Sequence, residues 1–324
     1  MTPRAIACLA VLLGGLGLAP VASAQVDLSG SWESRLHEEW GDRFHGPDAV
    51  DFTGLPLTDD GRARALSYSS SQLAMPERQC LQYGPYYTEF GPQHLAVWME
   101  DDPVTGRPVA YKISGAGDRL PRTIWLDGRP HPSAHGLHTA DGFATGVWEG
   151  DVLTVTTTHM KATPMRRNGV FASDQTTMVE HFVRHGNMLN ITAIITDPIY
   201  LAEPHVVSRS WILQPSREID RTGGACWPTV EIARLGVPGT VPHYLPGKNP
   251  FVNEVHDRYH LPMEAILGGN ETRYPEYRKQ LGSYVAPERC LRYCCGWLLT
   301  AGPAGNHDAP GLNCTPPSTP TSTP

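Results

Sequence analysis

Apolar and polar residues alternate with a period of two through the middle of the chain, the repeat of strands with one buried face. The clearest such runs are Leu95–Glu100, Pro108–Ser114, Arg122–Leu126, Phe143–Glu149, Val152–Thr158, Thr177–His185, Met188–Ile195 and Val206–Leu213. Asp27–Glu33 reads as an earlier strand. Helical spacing is rare. It is clearest from Thr58 to about Ser70, where Thr58 suits an N-cap, Asp59 and Asp60 fall in the first turn, and Ala63, Ala65 and Leu66 follow. Shorter helices are expected at Pro262–Leu267 and near Glu276. Many short strands with turn residues between them predict a mainly β fold, an antiparallel β-barrel or sandwich with a few short helices.

Two turns fix strand register. Gly150-Asp151 and Gly186-Asn187 each put glycine first in a two-residue connection, the signature of a type II′ hairpin. Trp148 is then expected opposite Leu153 and Gly146 opposite Val155. In the second hairpin Phe182 should face Ile191, Glu180 should face Ala193, and Met178 should face Ile195. Opposed residues share one face of a sheet, so Glu180 falls among apolar side chains.

A carboxylate on an apolar face is costly when ionised. Either a cation pairs with it or its pKa rises into the range useful for acid–base chemistry. Arg209 shares parity with Val207, Trp211 and Leu213, so a structural Glu180–Arg209 ion pair is one expectation. The other is a catalytic Glu180 at the floor of a ligand cavity. His159 continues the parity of Leu153, Val155 and Thr157, and would point inward as its proton-transfer counterpart if the strand ran one residue further. The loop that follows carries Lys161, Arg166, Arg167, Asn168, Ser173 and Asp174. Sites are often built in such loops, and paired arginines suit a carboxylate or sulfate. Arg166, Arg167, Asn168, Asp174 and Arg209 are therefore candidate ligand-binding residues. Trp148 and Trp211 join them as aromatic surface for a flat or partly apolar ligand, alongside Trp98, Tyr111, Trp125 and Tyr200.

His131, His135 and His138 have helical spacing, but Pro130, Pro132 and Gly136 oppose a helix, and no metal site is assigned there. The chain has no G-x-S-x-G, H-E-x-x-H or Walker motif. Gly115-Ala116-Gly117 begins a dinucleotide-like pattern that Leu120 breaks, so no organic cofactor is expected.

The N-terminus has the make-up of a secretory signal: Arg4, an apolar stretch Ala5–Leu18, then Ala22-Ser23-Ala24 as a cleavage site. Residues 1–24 would be removed, leaving a mature chain that begins at Gln25 in the periplasm or medium. No later segment is long and apolar enough to span a membrane. The net charge is −7, or −8 without Arg4, which argues against a nucleic-acid partner. Excluding Cys8, six cysteines remain, in a compartment where disulfides persist. Cys80 and Cys226 are the two outside the tail and the expected pair. Residues 25–214 then form the barrel domain, 215–284 a loop-rich extension packed on it, and 285–324 a Cys-, Pro-, Ser- and Thr-rich disordered tail.

Gly30-Ser31-Trp32 on the first strand resembles the Gly-x-Trp of lipocalins and other calycins, which implies a barrel of that kind. From Arg122 to Trp211 the segments RTIWLDGRPHP, GVWEGDVLTVTTTHMK, RRNG, SDQTTMVEHFVRHG and DPIYLAEP resemble a large group of secreted bacterial proteins of unknown function. That likeness implies a coherent exported domain and transfers no catalytic residue. Two functions are expected. One is a cofactor-free enzyme (isomerase, lyase or hydratase) with Glu180 and His159 as acid and base, acting on a partly apolar small molecule, with arginines holding any anionic group. The other is a non-catalytic periplasmic binding or carrier protein.

Overall fold

A computed structural model describes residues 26–35, 50–68, 80–90, 94–115, 121–221, 245, 248–249 and 252–281. The expected signal peptide, Cys226 and the Cys-rich tail lie outside them.

Nine strands close into a barrel: β1 (Gly30–Ser34), β2 (Leu95–Asp101), β3 (Pro108–Gly115), β4 (Arg122–Trp125), β5 (Phe143–Glu149), β6 (Val152–Thr158), β9 (Thr177–His185), β10 (Met188–Thr196) and β11 (His205–Leu213). They follow chain order around the ring, and β11 returns to pair with β1. Nine is odd, so strand directions cannot alternate all the way round. One neighbouring pair has to be parallel, and it is β4–β5, joined at Ile124↔Ala144 and Trp125↔Thr145. The other eight pairs are antiparallel.

Both hairpins have the expected register. Trp148 faces Leu153 and Gly146 faces Val155. Phe182 faces Ile191, Glu180 faces Ala193 and Met178 faces Ile195. Gly150 at φ +63° and Gly186 at φ +58° supply the positive φ that begins each turn.

The early helix is shorter than expected. α1 (Asp59–Leu66) is capped by Thr58 Oγ1, which accepts from Gly61 N, and its chain leaves helical geometry after Ser67. α2 (Pro85–Thr88) has no periodic signal in the sequence. β7 (Thr163–Pro164) and β8 (Phe171–Ala172) pair as a separate two-stranded antiparallel sheet. Three further α-helices follow among the described residues, α3 (Glu254–Tyr259), α4 (Met263–Ile266) and α5 (Pro275–Gln280), with a 3-10 turn at Asn270–Arg273. This extension docks through backbone bonds, Phe52 N to Ile266 O at 2.8 Å and Gly269 N to Leu55 O at 2.7 Å. Val255 and Ile266 join the core. Among the described residues no helix is long and apolar enough to cross a membrane.

The barrel interior is filled. Trp32, Tyr111, Leu153, Phe182, Ile191 and Trp211 are fully buried in one core. One end is closed by Trp32, whose Nε1 donates to Leu28 O at 3.0 Å, with the Arg184 guanidinium 5.2 Å from its ring centroid. The other end, where β11 begins and β10 stops, is lined differently.

Candidate functional site

At that end a cavity of about 310 Å³ opens between the start of β11, the β7–β8 connection, α2 and Leu55. This volume sits at the small end of the range for small-molecule pockets. β1 pairs with β11 only at Trp211–Leu213, and the β11 segment His205–Arg209, beyond that pairing, fronts the cavity. Arg166 and Arg167 reach it from the β7–β8 connection, Arg209 and His205 from β11, and Tyr86 and Tyr87 from α2. Phe90, Met165, Val170, Ile195 and Val207 form its apolar wall.

The loop that carries the two arginines is held rigidly. Met165 N and Arg166 N both donate to Val170 O, at 2.8 and 3.2 Å. Asn168 is buried and its Nδ2 donates to Asp51 O at 2.7 Å. Gly169 has φ +96°, and a Cβ there would lie 2.3 Å from Tyr68 Cβ, so only glycine fits. Phe171 lies under the Arg64 guanidinium of α1, 4.0 Å from its centroid. Arg167 Nε donates to Tyr87 Oη at 2.5 Å. Such fixed donors lose little freedom on binding a ligand.

His205 reports the field in the cavity. Its pKa is pushed down to about 3, first by burial and then by the charges of Arg166, Arg273 and Arg209. It is therefore neutral at physiological pH. Arg273 itself bonds Glu203 at 3.3 Å and Pro204 O at 2.9 Å. Tyr87 is pushed up by burial and pulled back by Arg167.

Several expected site residues lie elsewhere. Glu180 does not pair with Arg209. Its Oε2 accepts from Arg122 Nη2 at 2.6 Å, and Arg122 Nη1 also reaches Glu89 Oε1 at 2.6 Å. Arg122 Nη2 donates in addition to Thr157 Oγ1 at 2.6 Å. The side chains of Arg122, Glu89 and Glu180 are all 0 % exposed, so Glu180 has no opening through which to meet a substrate. Burial raises the Glu180 pKa most, Arg122 opposes it, and the Glu89 charge raises it further, to about 8.

His159 does not continue β6. That strand ends at Thr158, and His159 turns into the left-handed region at φ +58°. Its Nε2 donates to Ser133 O at 2.8 Å on the outside of the barrel, beside the His138 ring at 5.2 Å. It cannot act with Glu180. His131 approaches the same place, its ring bonded to Thr158 and Thr145 hydroxyls at 2.8 Å. No group of three His, Cys, Asp or Glu among the described residues could hold a metal ion.

Asp174 is exposed and does not line the cavity. The nearby structural carboxylate is Asp197, which accepts from Ser173 N, Ser173 Oγ, Thr176 Oγ1, Ile199 N and Tyr200 N. Asn168 supports the loop rather than facing the cavity. Trp211 is sealed in the core, Trp148 is half-buried against it, and neither lines the cavity. Cys80 is disulfide-bonded, and its expected partner Cys226 lies outside the described residues.

The cavity thus gathers Arg166 and Arg167, neighbours in one loop, and Arg209, with His205 of the same strand parity, together with Tyr86 and Tyr87, which carry no such signal. No protein-family model, curated protein or solved structure matches the chain.

Proposed function

We propose that this chain is an exported binding protein for a small, partly apolar anion, with a carboxylate as the recognised group. The observation that carries the reading is the meeting of Arg166, Arg167 and Arg209 in one cavity, where burial and cationic surroundings hold His205 neutral. Guanidinium forks match carboxylates in charge and shape. Tyr86, Phe90, Met165 and Ile195 give the rest of the ligand an apolar bed. Binding without turnover is favoured because, among the described residues, no group lining the cavity is poised for proton transfer near neutral pH. Glu180 is sealed away, Tyr87 titrates high and His205 low. The disulfide at Cys80 and the signal-like start agree with an oxidising compartment.

Calorimetry with benzoate, 4-hydroxybenzoate and indole-3-acetate, each beside its neutral amide, tests the proposal. The acids should bind at least about tenfold tighter than the amides, from one charge-assisted hydrogen bond of about 1.5–3 kcal/mol. Arg209→Ala or Arg166→Ala should remove that preference. Equal binding of acid and amide would defeat the reading, as would conversion of the bound acid into a product.

A further inference from the structure

The cavity wall contributed by α2 poses a physical problem. Four residues make one turn, which has no stability of its own in water. Yet Tyr86, Tyr87 and the following Phe90 all line the cavity from this turn. Something outside it has to hold it. At its start, Gly84 N donates to Thr163 Oγ1 at 3.1 Å and the Tyr86 hydroxyl bonds the same Thr163 oxygen. At its end, Glu89 is the C-cap residue, and its carboxylate reaches into the barrel to Arg122.

That second anchor sits directly behind the site. Glu180, Ala193 and Val207 are opposed across β9, β10 and β11, and Val207 lines the cavity. Two strand spacings of about 4.8 Å therefore separate the row position of the cluster from that of the wall. Arg122 comes from β4, Thr157 from β6 and Glu180 from β9, all elements of the closed ring, while Glu89 alone comes from the segment whose neighbours Tyr86, Tyr87 and Phe90 form the cavity wall. The guanidinium thus joins the two carboxyls, with Glu89 Oε1 and Glu180 Oε2 each 2.6 Å from it.

We propose that Glu89 is a positioning residue for the cavity. Through Arg122 it ties the end of α2 to the barrel, and so sets where Tyr86, Tyr87 and Phe90 meet the ligand. The proposal rests on the cavity being the binding site. It goes beyond that reading by assigning the buried charges a role, which is to fix the wall without touching what binds.

The test uses the full mature chain and 8-anilinonaphthalene-1-sulfonate, an aromatic anion whose fluorescence reports binding. Glu89→Ala should weaken the probe at least fivefold, and Glu89→Gln, which still accepts from Arg122, should restore it. Leu189→Ala, in the core at the opposite end, controls for general destabilisation and should leave affinity within twofold. If Glu89→Ala does not fold, Glu89→Asp, which withdraws the carboxylate by one methylene, is read in its place. Equal weakening by Glu89→Ala and Leu189→Ala would overturn the positioning role, as would wild-type affinity in Glu89→Ala. Loss of probe in Arg209→Ala in those same experiments would leave the cavity reading standing. Wild-type affinity in Arg209→Ala would instead sink the cavity reading itself, and this inference with it.

Discussion

Replacing Glu180 with glutamine should change how stability depends on pH far more than it changes stability itself. In the folded chain Glu180 holds its proton up to about pH 8, against an ordinary value of 4.5. Between those values the folded state carries a proton that the unfolded chain has released. Because the folded-state pKa is the higher one, the stabilisation is complete below about pH 4.5 and is lost as pH rises through the folded value. The slope is at most about 1.4 kcal/mol per pH unit, so wild type should lose up to about 3 kcal/mol from pH 5 to pH 7 on this account. Glutamine mimics the protonated carboxyl and does not titrate. Glu180→Gln leaves Arg122 paired with Glu89 and should be nearly flat over the same range. Glu89→Gln/Glu180→Gln together strand a buried guanidinium and should cost about 3–5 kcal/mol. Urea unfolding at pH 5, 6, 7 and 8 measures all three. Parallel pH curves for wild type and Glu180→Gln would refute the raised Glu180 pKa.

Two other substitutions probe the frame around the cavity. Gly169→Ala forces a side chain into φ +96° against Tyr68 and should cost more than about 1 kcal/mol. Because the strain falls in the loop bearing Arg166 and Arg167, thermal melting and benzoate calorimetry should both report it. Asp197→Ala removes the acceptor of three backbone N–H groups and two hydroxyls between Ser173 and Tyr200. Denaturant unfolding should show a loss of at least about 3 kcal/mol, with unchanged affinity in whatever remains folded.

The parts of this fold that the sequence discloses are those decided by neighbours in the chain. A glycine opening a two-residue turn fixes the register of both flanking strands, and with it the inward face of Glu180, while Arg209 and Trp211 take theirs from the apolar parity of their own strand. That an inward glutamate needs a cation is equally legible. Which cation is not, because Arg122 and Arg209 both have inward parity and only ring closure sets who stands across from Glu180. His159 leaves its expected place for a local reason: a left-handed φ one residue past the strand end turns its ring outward. α2 and the β7–β8 hairpin are invisible in the sequence because four- and two-residue elements carry no period to detect. Arg166 and Arg167 stand out only as a pair of like charges in a loop. Their meeting with Arg209 depends on a fold-back that Gly169 and Asn168 make possible.

The pairing of first strand with last has a consequence for how the molecule comes into being. Leu213 follows its partner Trp32 by 181 residues. Until β11 exists, the growing sheet is an open ribbon with a bare edge on either side, and bare edges are templates for other chains. Pairing β1 with β11 removes both edges at once, and seats Trp32 beside the strand that completes its burial. Truncation anywhere before residue 213 therefore yields a sticky ribbon rather than a smaller barrel, and the hazard of aggregation is concentrated before this one event of closure.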